Sequence, residues 1–284
     1  MKFPLVQERT ALVTGCSSGI GWATVEYLRA HGWRVWPTAR KPADLEKLRA
    51  AGFSPVALDV ADAISVKTAG VEVLKLTGGG LGALVNNAGF GQPGALEDLS
   101  REALREQFEA NVVGLQDLTN QIIPLFRKQG WGRIVNVSSV LGRIPLPLMG
   151  AYVASKYAVE ALSDCLRIEL RNSGVAVSIV EPGPIGTKFQ SNAAAAGWRH
   201  LTGASASSFA SIYRRNAEEV NRTKTRDRFM LPPEAVAVKI LHALESTHPR
   251  RRYPVTFVAW MGAALRRFAP DALMDRLLMH RITD

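Results

Sequence analysis

Apolar, β-rich runs alternate with longer helix-patterned segments along most of this chain, and that alternation narrows the possible folds more than any other feature. Thr10–Thr14, Trp33–Thr38, Ser54–Leu58, Leu81–Asn86, Arg133–Ser138 and Val175–Val180 read as strands. Several are continuously apolar, as expected of strands covered on both faces. Between them lie predicted helices at Gly19–His31, Pro42–Ala51, Asp62–Thr77, Ser100–Gln129 and Gly150–Ser173. Ser100 offers a capped start to one of these helices, and Gly174 sits where another should stop. Right-handed crossovers between such strands place helices on both faces of a parallel sheet. The expected fold class is therefore α/β, with a doubly wound parallel sheet.

Beyond Val180 the pattern loosens. Pro182, Gly183 and Pro184 form a turn, and an alanine- and serine-rich stretch follows over Ser191–Ser211. A helix near Pro232–Thr247 and a short strand near Tyr253–Val258 close the sheet, at about seven strands in all. Ala259–Phe268 and Ala272–Arg281 read as amphipathic helices. No internal repeat or separating linker is visible, so residues 1–284 are expected to form a single domain. Within it, residues 184–231 are expected to form a substrate-lid insertion and 259–284 a C-terminal helical extension.

With 47% hydrophobic and 21% charged residues, the chain is not a disordered polymer. No apolar run reaches the roughly 18–20 residues that cross a bilayer. Met1–Arg9 lacks a signal-peptide core. Cys16 and Cys165 supply neither a disulfide framework nor a zinc site and fit a reducing compartment. A cytoplasmic protein without a metal is expected. The net charge of +10 is uneven, with a surplus of 3 in residues 1–190 and of 7 in 191–284. Arg250–Arg252, Arg266 and Arg267 lie among Trp260, Leu265, Phe268, Leu277 and Leu278. Such a region suits an anionic membrane surface, a subunit interface or a solvated face. It contains no nucleic-acid module, and no nucleic-acid partner is expected.

The turn Thr14-Gly15-Cys16-Ser17-Ser18-Gly19-Ile20-Gly21 follows the first strand and opens the first helix. Backbone amides at a helix N-terminus face outward, and glycines let a pyrophosphate approach them. A glycine triplet alone is a weak signal; its place between strand and helix makes it a dinucleotide cradle. The residues after the second strand read Thr38-Ala39-Arg40-Lys41, with no acid before Asp44. A carboxylate there would bind a ribose 2′-hydroxyl, whereas an arginine pairs with a 2′-phosphate. Arg40 therefore favours NADP over NAD, with Arg40 and Lys41 as solvated loop charges the alternative reading. Asp59 and Val60, ending the third strand, are placed near the adenine; a turn or helix-cap role for Asp59 stands beside that reading.

Tyr152-Val153-Ala154-Ser155-Lys156 lies at the start of a predicted helix. Residues four apart share a helical face, so the phenol and the ammonium point into one space. A free tyrosine titrates near 10, and bringing it to about 7 takes nearby positive charge, of which Lys156 offers one and an oxidised nicotinamide would offer another. Beside a dinucleotide cradle this pair can exchange a proton with a carbonyl oxygen as hydride is transferred.

These landmarks, in this order, resemble the short-chain dehydrogenase/reductase family in its compact Rossmann-type branch. The resemblance spans roughly residues 8–190. It includes Asn86-Asn87-Ala88-Gly89 after the fourth strand, Asn111 in the long helix, Ser138-Ser139 after the fifth strand, and Pro182-Gly183 leading to Thr187. Within the family the chain is most similar to hydroxysteroid and retinol dehydrogenase-like members and bacterial aldehyde reductases. The resemblance implies that Tyr152 is acid in reduction and base in oxidation, and that Lys156 binds the nicotinamide ribose. It implies that Ser139 holds the substrate oxygen, and that Asn111 kinks its helix and orders a water. It places Gly15, Ser17, Ser18, Gly19, Ile20 and Gly21 on the cofactor's phosphates. Asn87, Ala88 and Gly89 would lie along the cofactor, with Pro182, Gly183 and Thr187 at its nicotinamide end. Pro37 and bulky Trp36 in the second strand depart from the common pattern, because a proline removes a ladder hydrogen bond.

Gly142–Met149 and the stretch after Pro184, with Phe189, Trp198, Phe209 and Tyr213, are available to line a substrate pocket. Their apolar character favours a small apolar carbonyl or alcohol: an aldehyde, a ketone, or a steroid- or retinoid-like compound. The same side chains also fit ordinary core or dimer packing. Relatives commonly pair through helices equivalent to Ser100–Gln129 and Gly150–Ser173, which implies a homodimer or homotetramer. A non-enzymatic dinucleotide sensor on the same scaffold is the alternative, and it predicts a defect in the proton-transfer group that the sequence does not show.

Overall fold

The computed structural model describes residues 2–189, 192–193, 206–215 and 229–279. Seven parallel strands form one sheet: β1 (Thr10–Val13), β2 (Arg34–Ala39), β3 (Val56–Ala57), β4 (Ala83–Asn86), β5 (Gly132–Val137), β6 (Val175–Glu181) and β7 (Arg252–Pro254). Their order is β3-β2-β1-β4-β5-β6-β7, so the chain winds outward from β1 in one direction, then returns and winds outward from β4 in the other. That reversal opens a crevice at the carboxyl ends of β1 and β4, the position where open α/β sheets take ligands.

Alternate residues of each strand feed two separate cores, the period of two made physical. Ala11, Val13, Val35, Val85, Val135 and Val137 pack on one side with Val25, Leu28, Ile240 and Leu244. These partners come from α1 (Gly19–Ala30) and α7 (Glu234–Glu245). Leu12, Trp36, Leu84, Ile134 and Val177 pack on the other side with Val66, Val73, Leu118, Phe126 and Leu166. Those belong to α3 (Ala63–Leu76), α5 (Gly114–Gln129) and α6 (Gly150–Glu169). Trp36 is accommodated as one of the largest fully buried side chains. Pro37 is tolerated because the ladder to β3 begins only at Thr38, beyond the proline.

Two expectations need correction. The single helix over Ser100–Gln129 is α4 (Arg101–Phe108), a π-helical turn over Glu109–Val113, and then α5. At that joint Gly114 presses on β3's exit: a Cβ there would lie 1.7 Å from the Val60 carbonyl oxygen. The last strand ends at Pro254 rather than Val258, because Thr256 caps the next helix, α8 (Phe257–Phe268), by accepting from the Ala259 amide at 3.1 Å. The final helix, α9, spans Asp271–Leu278. Trp198 and the tail of the expected Ala272–Arg281 helix lie outside the described residues. Among the described residues no helix is long and apolar enough to cross a membrane.

Part of the segment expected to form the lid lies within the described residues. Residues 210–215 are helical, and Tyr213 is buried with its hydroxyl donating to the Asp98 carboxylate at 2.5 Å. Ser207 donates to the same carboxylate oxygen at 2.6 Å. One acid thus clasps this segment to the loop after β4.

Candidate active site

The turn between β1 and α1 is built around close backbone approaches. Gly15 and Gly19 have φ of 70° and 58°, a region that favours glycine. A Cβ on Gly15 would sit 2.7 Å from Ala88 Cα, and one on Gly21 would sit 2.2 Å from the Gly15 carbonyl oxygen. Thr14 Oγ1 accepts from the amides of Asn87 and Ala88, both at 2.9 Å. The Asn87 amide group donates back to the carbonyls of Thr14 and Gly15 at 2.9 and 3.0 Å. Asn87 and Ala88 thus set the shape of the turn. Gly89 lies beside Asn111 Oδ1, which a Cβ there would meet at 2.9 Å.

Ser18 begins α1 without a side-chain cap. Ile20 packs its side chain against the core, so what the first turn presents at this end is backbone. An uncapped helix N-terminus with its glycine cradle free of Cβ atoms fits a dinucleotide pyrophosphate. Thr187 comes to the same place: a Cβ on Gly19 would touch its methyl group at 3.1 Å. Gly183 is pressed on Thr256, with 2.1 Å between a Cβ there and Thr256 Oγ1, and Pro182 accepts from the Val140 amide at 2.8 Å. The segment after β6 is thereby fixed between the loop after β5 and the start of α8.

On the adenosine side, Arg40 is exposed at the end of β2 and pairs with Asp59 at 3.5 Å. Asp59 also accepts from the Ala61 amide at 3.1 Å, which realises the turn role weighed for it. Val60 meets Gly114, as described above. Cys16 is fully buried, and burial pushes its thiol up to about 12, so it is a packing group and not a nucleophile.

At the other end of the crevice α6 places Tyr152 and Lys156 one turn apart on its buried face. Lys156 Nζ donates to the Val137 carbonyl at 2.9 Å and stands 5.7 Å from the Tyr152 ring centroid. Ser139 caps the short 3₁₀ turn Val140–Gly142, accepting from Leu141 at 3.1 Å, and hydrogen-bonds toward the Tyr152 phenol. Ser138 instead points down toward Glu160. Asn111 lies in the π-helical turn, as a kinked helix requires. Its side chain accepts from the Phe90 amide at 3.0 Å and donates to the Phe90 carbonyl at 2.9 Å and to Ser155 Oγ at 3.1 Å. It fastens the loop after β4 to α6.

The protein's own groups do not acidify Tyr152. Burial pushes the phenol up to about 12, and the Ser139 hydrogen bond only partly opposes it. Burial also brings Lys156 down to about 8, with the negative charge of Glu160 acting the other way. A cation committed to a carbonyl and held off the ring does not offset the phenol's loss of water. Phe189 closes the front of the site, its ring 5.3 Å from that of Tyr152. It abuts Gly91, where a Cβ would lie 2.8 Å from its ring and 3.3 Å from the Met149 methyl.

Sequence reasoning misses a buried ionic cluster directly behind Lys156. Arg252 of β7 donates to Glu160 at 2.9 Å and to Asp164 at 2.7 Å, and lies 3.3 Å from Glu181. Arg143, at the end of the 3₁₀ turn, donates to Glu181 at 3.1 Å. Glu160 is signalled by its spacing of four from Lys156; the partners are not, being 92 residues away in the case of Arg252. Lys47 is also missed. Its ammonium reaches from α2 (Pro42–Ala50) to the Ser17 carbonyl at 3.3 Å.

Comparison with known proteins accounts for this arrangement. The short chain dehydrogenase family matches residues 9–197. The chain is 42% identical to the oxidoreductase YbbO of Escherichia coli over 96% of this chain and 95% of that protein. It is 35% identical to the NADPH-dependent 3-dehydrocapnine reductase of Ornithobacterium rhinotracheale over 95% of each. Two solved short-chain dehydrogenases from Burkholderia superpose equally well. One, from B. phymatum with NAD, has a TM-score of 0.75 at 26% identity over 98% of both chains. The other, from B. cenocepacia with NADP, has a TM-score of 0.75 at 25% identity over 97% and 99%. A Rossmann-like sheet, a cradle at its switch point and relatives matched almost end to end lead to one conclusion: this chain belongs to the short-chain dehydrogenase family of oxidoreductases.

Proposed function

We propose that the chain is an NADP(H)-dependent oxidoreductase that interconverts an apolar carbonyl and its alcohol, with Tyr152 as the general acid/base. The observation that carries this reading is the convergence of Tyr152, Ser139 and Lys156 at the strand ends next to the glycine cradle. When bound, the nicotinamide supplies or accepts the hydride. The chain's own residues handle the oxygen and the proton. Ser139 donates to the substrate oxygen and fixes it beside the phenol. Tyr152 Oη gives its proton to that oxygen in reduction and takes it back in oxidation. Lys156 holds the cofactor's ribose and keeps a positive charge near the phenolate that forms. Phe189 and Met149 keep water from the reacting atoms and select an apolar substrate.

NADP is supported by Arg40, by the absence of an acid at the end of β2, and by the NADPH dependence in the name of the capnine relative. A homodimer or homotetramer is part of the same reading, supported by exposed Val113, Tyr157 and Ile168 on or beside α5 and α6. Tyr152→Phe tests the chemistry. It should lower turnover of aldehydes and ketones by at least about 10²-fold, with nucleotide affinity by calorimetry unchanged. Turnover equal to that of the wild type would exclude the mechanism.

A further inference from the structure

At the adenosine end of the cradle the sequence offers Arg40 as the group that would recognise a ribose 2′-phosphate, and the structure shows how Arg40 is engaged. Its guanidinium is largely exposed and drawn toward the Asp59 carboxylate at 3.5 Å, which cancels part of its charge. A second cation reaches the same turn from another element. The end of β2 is stitched to the cradle, with the Cys16 amide donating to the Thr38 carbonyl at 2.8 Å and the Gly15 amide to Thr38 Oγ1 at 3.3 Å. From α2, which follows β2, Lys47 extends back over this joint. Its ammonium lies 3.3 Å from the Ser17 carbonyl and 4.2 Å above the ring of Trp22 on α1.

Two features make this lysine more than a solvated charge. Among the described residues no carboxylate makes an ion pair with it: of the two acids on its own helix, Glu46 pairs with Arg49, and Asp44, one turn before Lys47, forms no salt bridge to it. Its neighbours are a carbonyl dipole and a ring face, which orient an ammonium without neutralising it. A long flexible side chain held this way has already lost much of the rotamer freedom that binding a phosphate would otherwise cost. We propose that Lys47, positioned by Trp22 and the Ser17 carbonyl, is the specificity-determining residue that selects a ribose 2′-phosphate over a 2′-hydroxyl at the adenosine end, with Arg40 as its partner. This rests on the nucleotide reading above and concerns which nucleotide is chosen, not how hydride is moved.

Calorimetric titration of the full-length protein with NADP, NAD, adenosine 2′,5′-bisphosphate and 5′-AMP tests it without turnover. For the wild type, NADP and the bisphosphate should bind more tightly than their 2′-hydroxyl counterparts. Lys47→Ala should weaken both phosphorylated ligands by about 10-fold or more, the scale of one charge-assisted hydrogen bond, and leave NAD and 5′-AMP within about twofold. It should also flatten the salt dependence of NADP binding. Lys47→Arg should restore most of the preference. Trp22→Leu, which frees the lysine without removing its charge, should give a partial loss confined to the phosphorylated ligands. Equal weakening of NAD and NADP in Lys47→Ala would mean that the residue only shapes the turn, and would overturn the assignment. So would undiminished NADP preference, which would leave Arg40 alone responsible. A wild type that binds NAD and NADP equally would overturn the NADP reading together with this one.

Discussion

Tyr152 shows how far one residue's chemistry depends on what surrounds it. Its spacing from Lys156 is readable in the sequence, but the burial that holds the phenol protonated is not, because the side chains that exclude water come from distant segments. The phenol titrates far above neutrality, so the group that loses its charge first on raising the pH is Lys156, at about 8. Carbonyl reduction should therefore decline on an alkaline limb set by Lys156 rather than by Tyr152. Glu160 supports the lysine's charge, so Glu160→Gln should move that limb to lower pH in a pH–rate profile. An unmoved limb would show that another group sets it. Lys47 lies at the same scale: its charge is plain in the sequence, whereas its position over Ser17 depends on how α2 returns across the cradle.

At the scale of elements, the sheet and most helices are readable because continuous apolar runs and capping residues such as Ser100 carry the signal locally. Ser100 does cap α4, accepting from the Ala103 amide at 3.1 Å. The joint between α4 and α5 is not readable. Periodicity runs through it, and the π-helical turn is imposed by tertiary fit: Gly114 against Val60, Asn111 against Phe90. Gly114→Ala should cost about 1–3 kcal/mol of stability by overpacking, measured by denaturant unfolding, and should lower activity by displacing Asn111. A variant of full stability would show that the joint yields easily. In the cradle, Gly21→Ala should abolish nucleotide binding with a smaller effect on folding, because its Cβ would meet the Gly15 carbonyl; calorimetry separates the two effects.

Over the whole molecule, the buried cluster around Arg252 ties β6, β7, α6 and the loop that carries Ser139. Losing the arginine leaves Glu160 and Glu181 buried without it, so Arg252→Met should destabilise by about 3–5 kcal/mol. Glu181 also gives stability a pH dependence. Burial and the nearby Glu160 raise its carboxyl from 4.5 to about 7. The folded protein therefore keeps a proton that the unfolded chain releases near 4.5, and stability from this group falls as pH rises from about 4.5 to 7. Glu181→Gln should remove that slope from the melting temperature; an unchanged slope would point to another group.

The same arginine bears on when the enzyme is assembled during synthesis. The sheet's first six strands leave the ribosome with the glycine turn and α6 complete in sequence. Of the acids behind Lys156, Glu181 already has Arg143 and Asp164 has Arg167, but Glu160 gains its hydrogen-bonded arginine only when β7 arrives with Arg252. A nascent chain halted before residue 252 lacks the arginine that joins Glu160, Asp164 and Glu181 behind Lys156, so this region should settle only once β7 has emerged.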